Sequence, residues 1–217
     1  QNYRIMGVIR NQSIKNSISF YLGMALGAIN TVIIYPNVFK HNPEHFGLIQ
    51  LILAYAILVS TFTSLGIPKT FVRFFPAIKE KGKLYFLSLI VLLVGFIFSL
   101  FFYYFFKNSL LEILNASELL KNNFYYIIIL VFFISFYEIL TSISRSFLKT
   151  SVPIIINEVF LKLYSMCVLT LHWIGFIDFS TFLSIYFLGY IFKFFILLFI
   201  QLINNQIQLT LSFNGLN

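Results

Sequence analysis

The sequence predicts an all-α polytopic membrane protein, a bundle of six hydrophobic helices crossing a lipid bilayer. Three observations carry that prediction. Hydrophobic residue types make up 59% of the 217 residues and charged types only 10%, whereas a soluble domain carries roughly 25% charged residues. The apolar residues fall into six blocks, each near the about 20 residues a helix needs to cross the hydrocarbon core. Most Lys and Arg residues lie between those blocks, where flanking charge orients membrane helices.

The first span is predicted over Asn16–Phe39, ending near Pro36. The apolar stretch after Lys15 is too long for a signal-peptide core and is followed by no small-residue cleavage site, so it reads as a transmembrane helix. The second span is predicted over Phe46–Leu65, stopped by Gly66 and Pro68. The third, Leu84–Phe106, contains neither charge nor proline. The fourth is predicted over Asn123–Ser144. The fifth starts at Pro153, whose missing N–H costs nothing in a first helical turn, and ends near Gly175. The sixth is predicted over Thr181–Ile203. Residues 1–15 form a basic lead-in, 16–203 the bundle, and 204–217 a tail or linker. The segment Asn108–Asn122, with Glu112 and Glu118, is expected to form a short amphipathic interfacial helix.

Charge divides the connections into two sides. Arg4, Arg10 and Lys15, then Lys69, Arg73, Lys79, Lys81 and Lys83, then Arg145 and Lys149 fall on one side. The other side holds only Lys40, Lys107 and Lys121. Cytoplasmic loops are enriched in Lys and Arg, so the N-terminus is expected in the cytoplasm, and six crossings return the chain there.

The same placement argues against nucleic acid as a partner. The net charge of +8 sits between apolar blocks and makes no basic stripe with interleaved aromatics. A single cysteine, Cys167, excludes an intramolecular disulfide framework. The nucleotide-binding P-loop, the H-E-x-x-H zinc motif and the G-x-S-x-G nucleophile motif are all missing. His41 and His45 stand four apart around Glu44 but lack a third ligand. Nothing in the chain argues for an enzyme, and no cofactor is implied.

Ionisable residues at membrane depth are costly, so each is a functional candidate. The fourth span carries Ser135, Glu138, Thr141, Ser142, Arg145 and Lys149 on one broad helical face. The fifth carries Glu158, Lys162, Ser165 and His172, with Glu158 and Lys162 in the favourable i,i+4 order. Lys193 lies at comparable depth in the sixth. The second adds Gln50, Thr61 and Ser64, and the first adds Lys15, Ser19 and Asn30, with Gly23 and Gly27 in the spacing of a close helix contact. The pattern predicts a hydrated, mostly cationic cavity between spans one, two, four, five and six, suited to an anionic headgroup. Two bland alternatives stand beside that reading. Glu158 and Lys162 form a neutral pair that holds helices together, and Arg145 and Lys149 serve as orientation charges at a helix end.

The stretch "GVIRNQSIKNSISFYLGMALGAINTVIIYPNVF" resembles the first helix and basic lead-in of bacterial polysaccharide-biosynthesis flippases of the multidrug/oligosaccharidyl-lipid/polysaccharide exporter superfamily. "FGLIQLILAYAILVSTFTSLGIPKTFVRFFP" is similar to their second helix and the turn after it, here with Gly66 and Arg73. "SRSFLKTSVPIIINEVFLKLYSMCVLTLHWIGFIDFSTFLSIYFLGYIF" is similar to their fourth-to-sixth helices, with Arg145, Pro153, Glu158 and Lys162 in a recurring charged pattern. The resemblance implies one six-helix lobe of a two-lobe transporter in the bacterial cytoplasmic (inner) membrane. Such a transporter moves an undecaprenyl-diphosphate-linked oligosaccharide to the outer leaflet by alternating access. It implies that Lys15, Arg73, Arg145, Lys162 and Lys193 contact the diphosphate or sugar acids, while Glu138 and Glu158 pair with them or couple to ions. Family members have twelve or more helices, so the resemblance is to the N-terminal half, with a second six-helix half and membrane lipid as partners. A cation antiporter of the same superfamily ranks lower, because acids do not dominate the candidate residues. A non-transporting fragment or scaffold is the third reading.

The charge asymmetry is checked by cysteine labelling in intact cells. Cysteines placed at Lys79 and Asn204 should resist an impermeant maleimide, and one at Asn115 should react.

Overall fold

Among the described residues of the computed structural model six helices are long and apolar enough to cross a membrane: Arg10–Val38, Pro43–Thr63, Lys81–Ile113, Tyr125–Ser146, Ser151–Trp173 and Phe179–Ile203. They are called helices one to six below. The structure describes residues 2–113 and 115–207, with side chains from Arg10 onward, and no strand occurs among the described residues. Every predicted span is present, with shifted ends. Helix one begins earlier, at Asn2, so the basic lead-in continues the span as helix. Helix five starts at Ser151, which puts Pro153 third, still within the turn that has no use for its N–H. Of the tail expected from 204, the described residues reach only Ile207.

Helix three differs most from expectation. It begins at Lys81 and runs 33 residues to Ile113, absorbing the first part of the segment expected to lie at the interface. The remainder makes a six-residue helix, Glu118–Asn123, whose first turn is capped by Ser117 Oγ accepting the Leu120 N–H. The helical pattern does not break at Phe106 because Lys107 and Asn108 can leave the hydrocarbon without ending the helix. A second short helix, Ile67–Phe74, follows helix two. Gly66 makes that reversal possible: its φ of +73° is left-handed backbone that a side chain disfavours.

Helix four is the centre of the bundle. In its most apolar window 67% of residues are buried, against 22–33% for the other five spans. Helices two, three and six and the short helix Ile67–Phe74 all pack on it. Its run "ILVFFISFYEILTSIS" explains this, because Leu130, Val131, Ile134, Ser135, Tyr137, Leu140, Thr141 and Ser144 are all buried on several faces. On the basic side Phe71, Phe75, Tyr85, Ile143 and Leu197 form one core. Towards the other side Tyr35, Phe39, Tyr126, Phe182, Tyr186 and Phe187 form a second. The outer surface stays apolar, with Phe98, Phe101, Phe105, Phe195 and Phe199 all exposed. In a bilayer that surface meets lipid chains.

Helix one is attached differently. Along most of its length it packs on helix five alone, and the contact is polar. Gln12 accepts from the Ser151 N–H at 2.9 Å, Asn16 donates to Thr150 Oγ1 at 3.0 Å, and Asn30 donates to Ser165 Oγ at 3.1 Å. The Gly23–Gly27 spacing works as predicted from sequence: a Cβ on Gly23 would stand 2.8 Å from Glu158 Cβ. Both helices widen where they meet. Ile29–Ile34 and Ile156–Phe160 are π-helical, with the Tyr35 N–H bonding to Asn30 O and the Leu161 N–H to Ile156 O. Such segments insert an extra residue into a turn and recur at functional sites.

Helices two and three approach most closely at Gly95, where an added Cβ would collide with the Thr63 carbonyl, beside a Thr63–Ser99 hydroxyl pair at 2.6 Å. Gly95→Val should therefore lower stability by about 2 kcal/mol, the order found for overpacked contacts. Unfolding in detergent with increasing SDS checks this, with Gly47→Ala as the control because nothing surrounds Gly47.

Candidate functional site

Four ionisable side chains stand near mid-length of three spans: Glu138 on helix four, Glu158 and Lys162 on helix five, and Lys193 on helix six. The chain gathers them around one cavity of about 450 Å³. Helix one contributes Gly27, Asn30, Thr31 and Tyr35 to its wall, and helix two Gln50 and Ile57. Helix four adds Ile134 and Glu138, helix five Asn157, Leu161, Lys162 and Ser165, and helix six Tyr186, Tyr190 and Lys193. The five helices are those that the sequence pattern selects; helix three takes no part. The cavity is half open, and its exposed lining residues are Thr31, Gln50, Ile57 and Glu138.

Lys162 is fixed from two sides. Its Nζ donates to Glu158 Oε2 at 2.8 Å and to the Gly23 carbonyl at 2.9 Å. The glycine matters here, since only a bare backbone lets the carbonyl of helix one reach the ammonium group. Asn30 reinforces the junction by donating to the Lys162 carbonyl at 3.2 Å. Asn30 is 4% exposed, and its Oδ1 is buried with no hydrogen-bond partner among the described residues. An orphaned acceptor of this kind is costly in a low-dielectric interior unless something donates to it.

Lys193 is 5% exposed and forms no ion pair among the described residues. Its Nζ donates to Asn157 Oδ1 at 3.1 Å and lies 4.5 Å from the Tyr137 ring centroid and 4.7 Å from that of Tyr190. Two ring faces and an amide oxygen thus solvate the charge, a cation–π arrangement strengthened by desolvation. Tyr137 is held by its hydroxyl donating to the Pro153 carbonyl at 2.7 Å. Asn157 is oriented by donating its amide to Glu158 Oε1 at 3.0 Å. Asn157 therefore links the two lysines into one network. Glu138 is exposed on the cavity side, and its carboxylate has no hydrogen-bond partner among the described side chains. On the far wall the Tyr35 and Tyr186 hydroxyls share a 2.8 Å hydrogen bond.

The site residues chosen from sequence separate into two groups. Asn30, Glu138, Lys162 and Lys193 line the cavity, and Glu158 sits directly behind Lys162. Lys15, Arg73 and Arg145 do not line it and are exposed. Lys15 is exposed near the start of the first span, Arg73 lies on the short helix Ile67–Phe74 beside Phe74, and Arg145 is in the last turn of helix four. A helical face fixes azimuth but not depth, so Arg145 shares a face with Glu138 without sharing its depth, and Arg73 rests on the family resemblance alone. The lining itself carries two lysines and one carboxylate, Glu138, and Glu158 behind Lys162 brings the four charges into balance. Asn157, Tyr137, Tyr190, Tyr35 and Tyr186 are contributors that sequence reasoning missed. Asn157, adjacent to Glu158 in a span, was the visible signal.

The fold and this site define a class: a six-span α-helical membrane bundle with a polar, charge-balanced cavity at mid-depth. Comparison with protein-family models, curated proteins and solved structures returned no match.

The Glu158–Lys162 pair can be tested alone. Lys162→Met strands Glu158 and should cost on the order of 3 kcal/mol, while Glu158→Gln with Lys162→Met should recover much of that loss. Unfolding midpoints of the single and double variants supply the comparison.

Proposed function

We propose that this chain is a transport lobe that moves a lipid-linked oligosaccharide, carried on undecaprenyl diphosphate, across the bacterial cytoplasmic membrane, with its N-terminus in the cytoplasm. The observation that carries the reading is the polar cavity at mid-membrane depth. Lipid-facing helices have no use for a lining of two lysines, three amides, a carboxylate and three tyrosine hydroxyls. Intramembrane groups of this kind mark substrate or ion pathways, and transporter sites lie near the midplane between helices. The resemblance of the first, second and fourth-to-sixth helices to polysaccharide flippases supplies the substrate class. The side of the cavity bordered by Thr31, Gln50 and Glu138 is where a second lobe would complete the pathway.

Glu138 favours a second reading, a cation antiporter. A carboxylate without a partner that faces a polar cavity is a binding group for an organic cation or a coupling ion. The charge balance of the cavity makes this reading stronger than the sequence alone does.

Reconstitution separates the two. Vesicles containing the protein should expose lipid-linked oligosaccharide to an externally added glycosidase faster than protein-free vesicles. Lys193→Met should slow this about tenfold, because Asn157, Tyr137 and Tyr190 lose the cation that holds this wall together, a change of roughly 1.4 kcal/mol. Equal rates with and without protein refute the flippase reading. Accumulation of an organic cation that depends on Glu138 would establish the antiporter.

A further inference from the structure

We infer that the cavity receives the uncharged, hydroxyl-rich sugar portion of its ligand, and that its two lysines are structural cations, not phosphate clamps. This rests on the transport reading above and assigns the parts of the ligand to different regions of the protein.

The first argument is the state of the lysines. An ammonium group has three N–H donors. Lys162 uses two of them on Glu158 and on the Gly23 carbonyl. Lys193 is enclosed by Asn157, Tyr137 and Tyr190, with 5% of its surface left. A phosphate could reach only the one N–H that Lys162 keeps, and to clamp either lysine it would have to displace these partners. Displacing Glu158 would also leave a second carboxylate uncompensated beside the incoming anion.

The second argument is the set of groups still available. Asn30 Oδ1 is buried and has no partner among the described residues, and it belongs to the cavity wall. Glu138 offers a carboxylate to the same space. Both are acceptors, and Gln50, Thr31 and the Tyr190 hydroxyl can accept or donate. A lining whose free groups are biased towards accepting calls for a ligand that donates. Phosphodiester and diphosphate oxygens accept only, and Glu138 would repel them across a medium of low dielectric. Sugar hydroxyls donate to amide and carboxylate oxygens and accept from amide N–H groups, while sugar ring faces pack on aromatic rings such as Tyr35 and Tyr190. The volume of about 450 Å³ falls within the roughly 300–1,000 Å³ of small-ligand sites.

The third argument is where unengaged cations are found. Lys69, Arg73 and Arg145 are exposed at the basic side of the bundle, on the short helix and the end of helix four on which it packs. A diphosphate held there would leave the sugar to enter the cavity.

The test uses the full chain in lipid nanodiscs and three probes: a panel of methyl glycosides, farnesyl diphosphate and tetrapropylammonium. Binding is read from the shift in thermal unfolding and by competition. At least one methyl glycoside should stabilise the protein without being displaced by farnesyl diphosphate. Gln50→Leu should weaken that glycoside about fivefold, the loss of one neutral hydrogen bond. Glu138→Gln should weaken it by less, about threefold, because the amide oxygen still accepts. Competition between glycoside and farnesyl diphosphate would overturn the inference in favour of a phosphate site. Binding of tetrapropylammonium that is lost in Glu138→Gln would overturn it in favour of a cation site, as would failure of every glycoside to bind. Oligosaccharide transport without glycoside binding would sink this inference alone. Glycoside binding without transport would sink the transport reading alone.

Discussion

The junction between helices one and five, centred on Lys162, is the constraint on which the rest of the site depends. In a bilayer no hydrophobic drive brings helices together, since lipid chains are as apolar as Leu side chains. Close packing and hydrogen bonds must do it. Helix one has few other contacts, and its outward face, with Ile18, Tyr21, Met24 and Val32 exposed, offers nothing to hold it. Its position is set by a ladder that runs from Gln12 and Asn16 through Gly23 to Asn30. At the middle rung a lysine ammonium bridges a carboxylate of its own helix and a carbonyl of the other. That bridge satisfies the charge of Lys162, and it fixes one wall of the cavity.

The paired π-helical segments follow from the same geometry. Asn30 opens the contact on one helix as part of Ile29–Ile34, and Asn157 and Glu158 belong to Ile156–Phe160 on the other. The extra residue in each turn rotates the following side chains relative to those before. On helix five Asn157 reaches Lys193 while Glu158 reaches Lys162. Adjacent residues of an undistorted helix point about 100° apart, and one turn here serves two lysines on different helices. The π-helical turn of helix five is thus where the charges join into one network.

Much of the bundle was legible from sequence, and the limits have physical causes. Long apolar blocks announce membrane spans because the bilayer demands a minimum length. Gly66 and Pro68 announce a stop because one permits a left-handed turn and the other suits a first helical turn. Of the stripes on helices one, four and five, Asn30, Glu138, Lys162 and Ser165 reach the cavity, because periodicity reports azimuth. Depth, partner and distortion are not periodic quantities. Arg145 shares a broad face with Glu138 yet ends near the surface, and Arg73 belongs to a helix outside the spans. The cage around Lys193 draws on Tyr137, Asn157 and Tyr190 from three helices, and no spacing along one chain segment shows such a set. Helix three was expected to end at Phe106 and runs on to Ile113, because the sequence beyond it contains neither proline nor glycine to stop it.

The charge balance of the cavity bears on how such a site can work. A cation left open to the cavity would bind an anion tightly and release it slowly, which suits storage more than passage. Here Lys162 is already compensated by Glu158, and the charge of Lys193 is spread over two rings and an amide. The cavity is strongly polar and yet presents little net charge to whatever enters. Ligand groups can then exchange hydrogen bonds with Asn30, Gln50 and Glu138 one at a time, each step small compared with separating an ion pair in low dielectric. Glu138 remains the exception, because its carboxylate has no hydrogen-bond or ion-pair partner among the described residues. Its place on the open side of the cavity means that whatever covers that side, whether ligand, ion or a second lobe, must bring a donor to it.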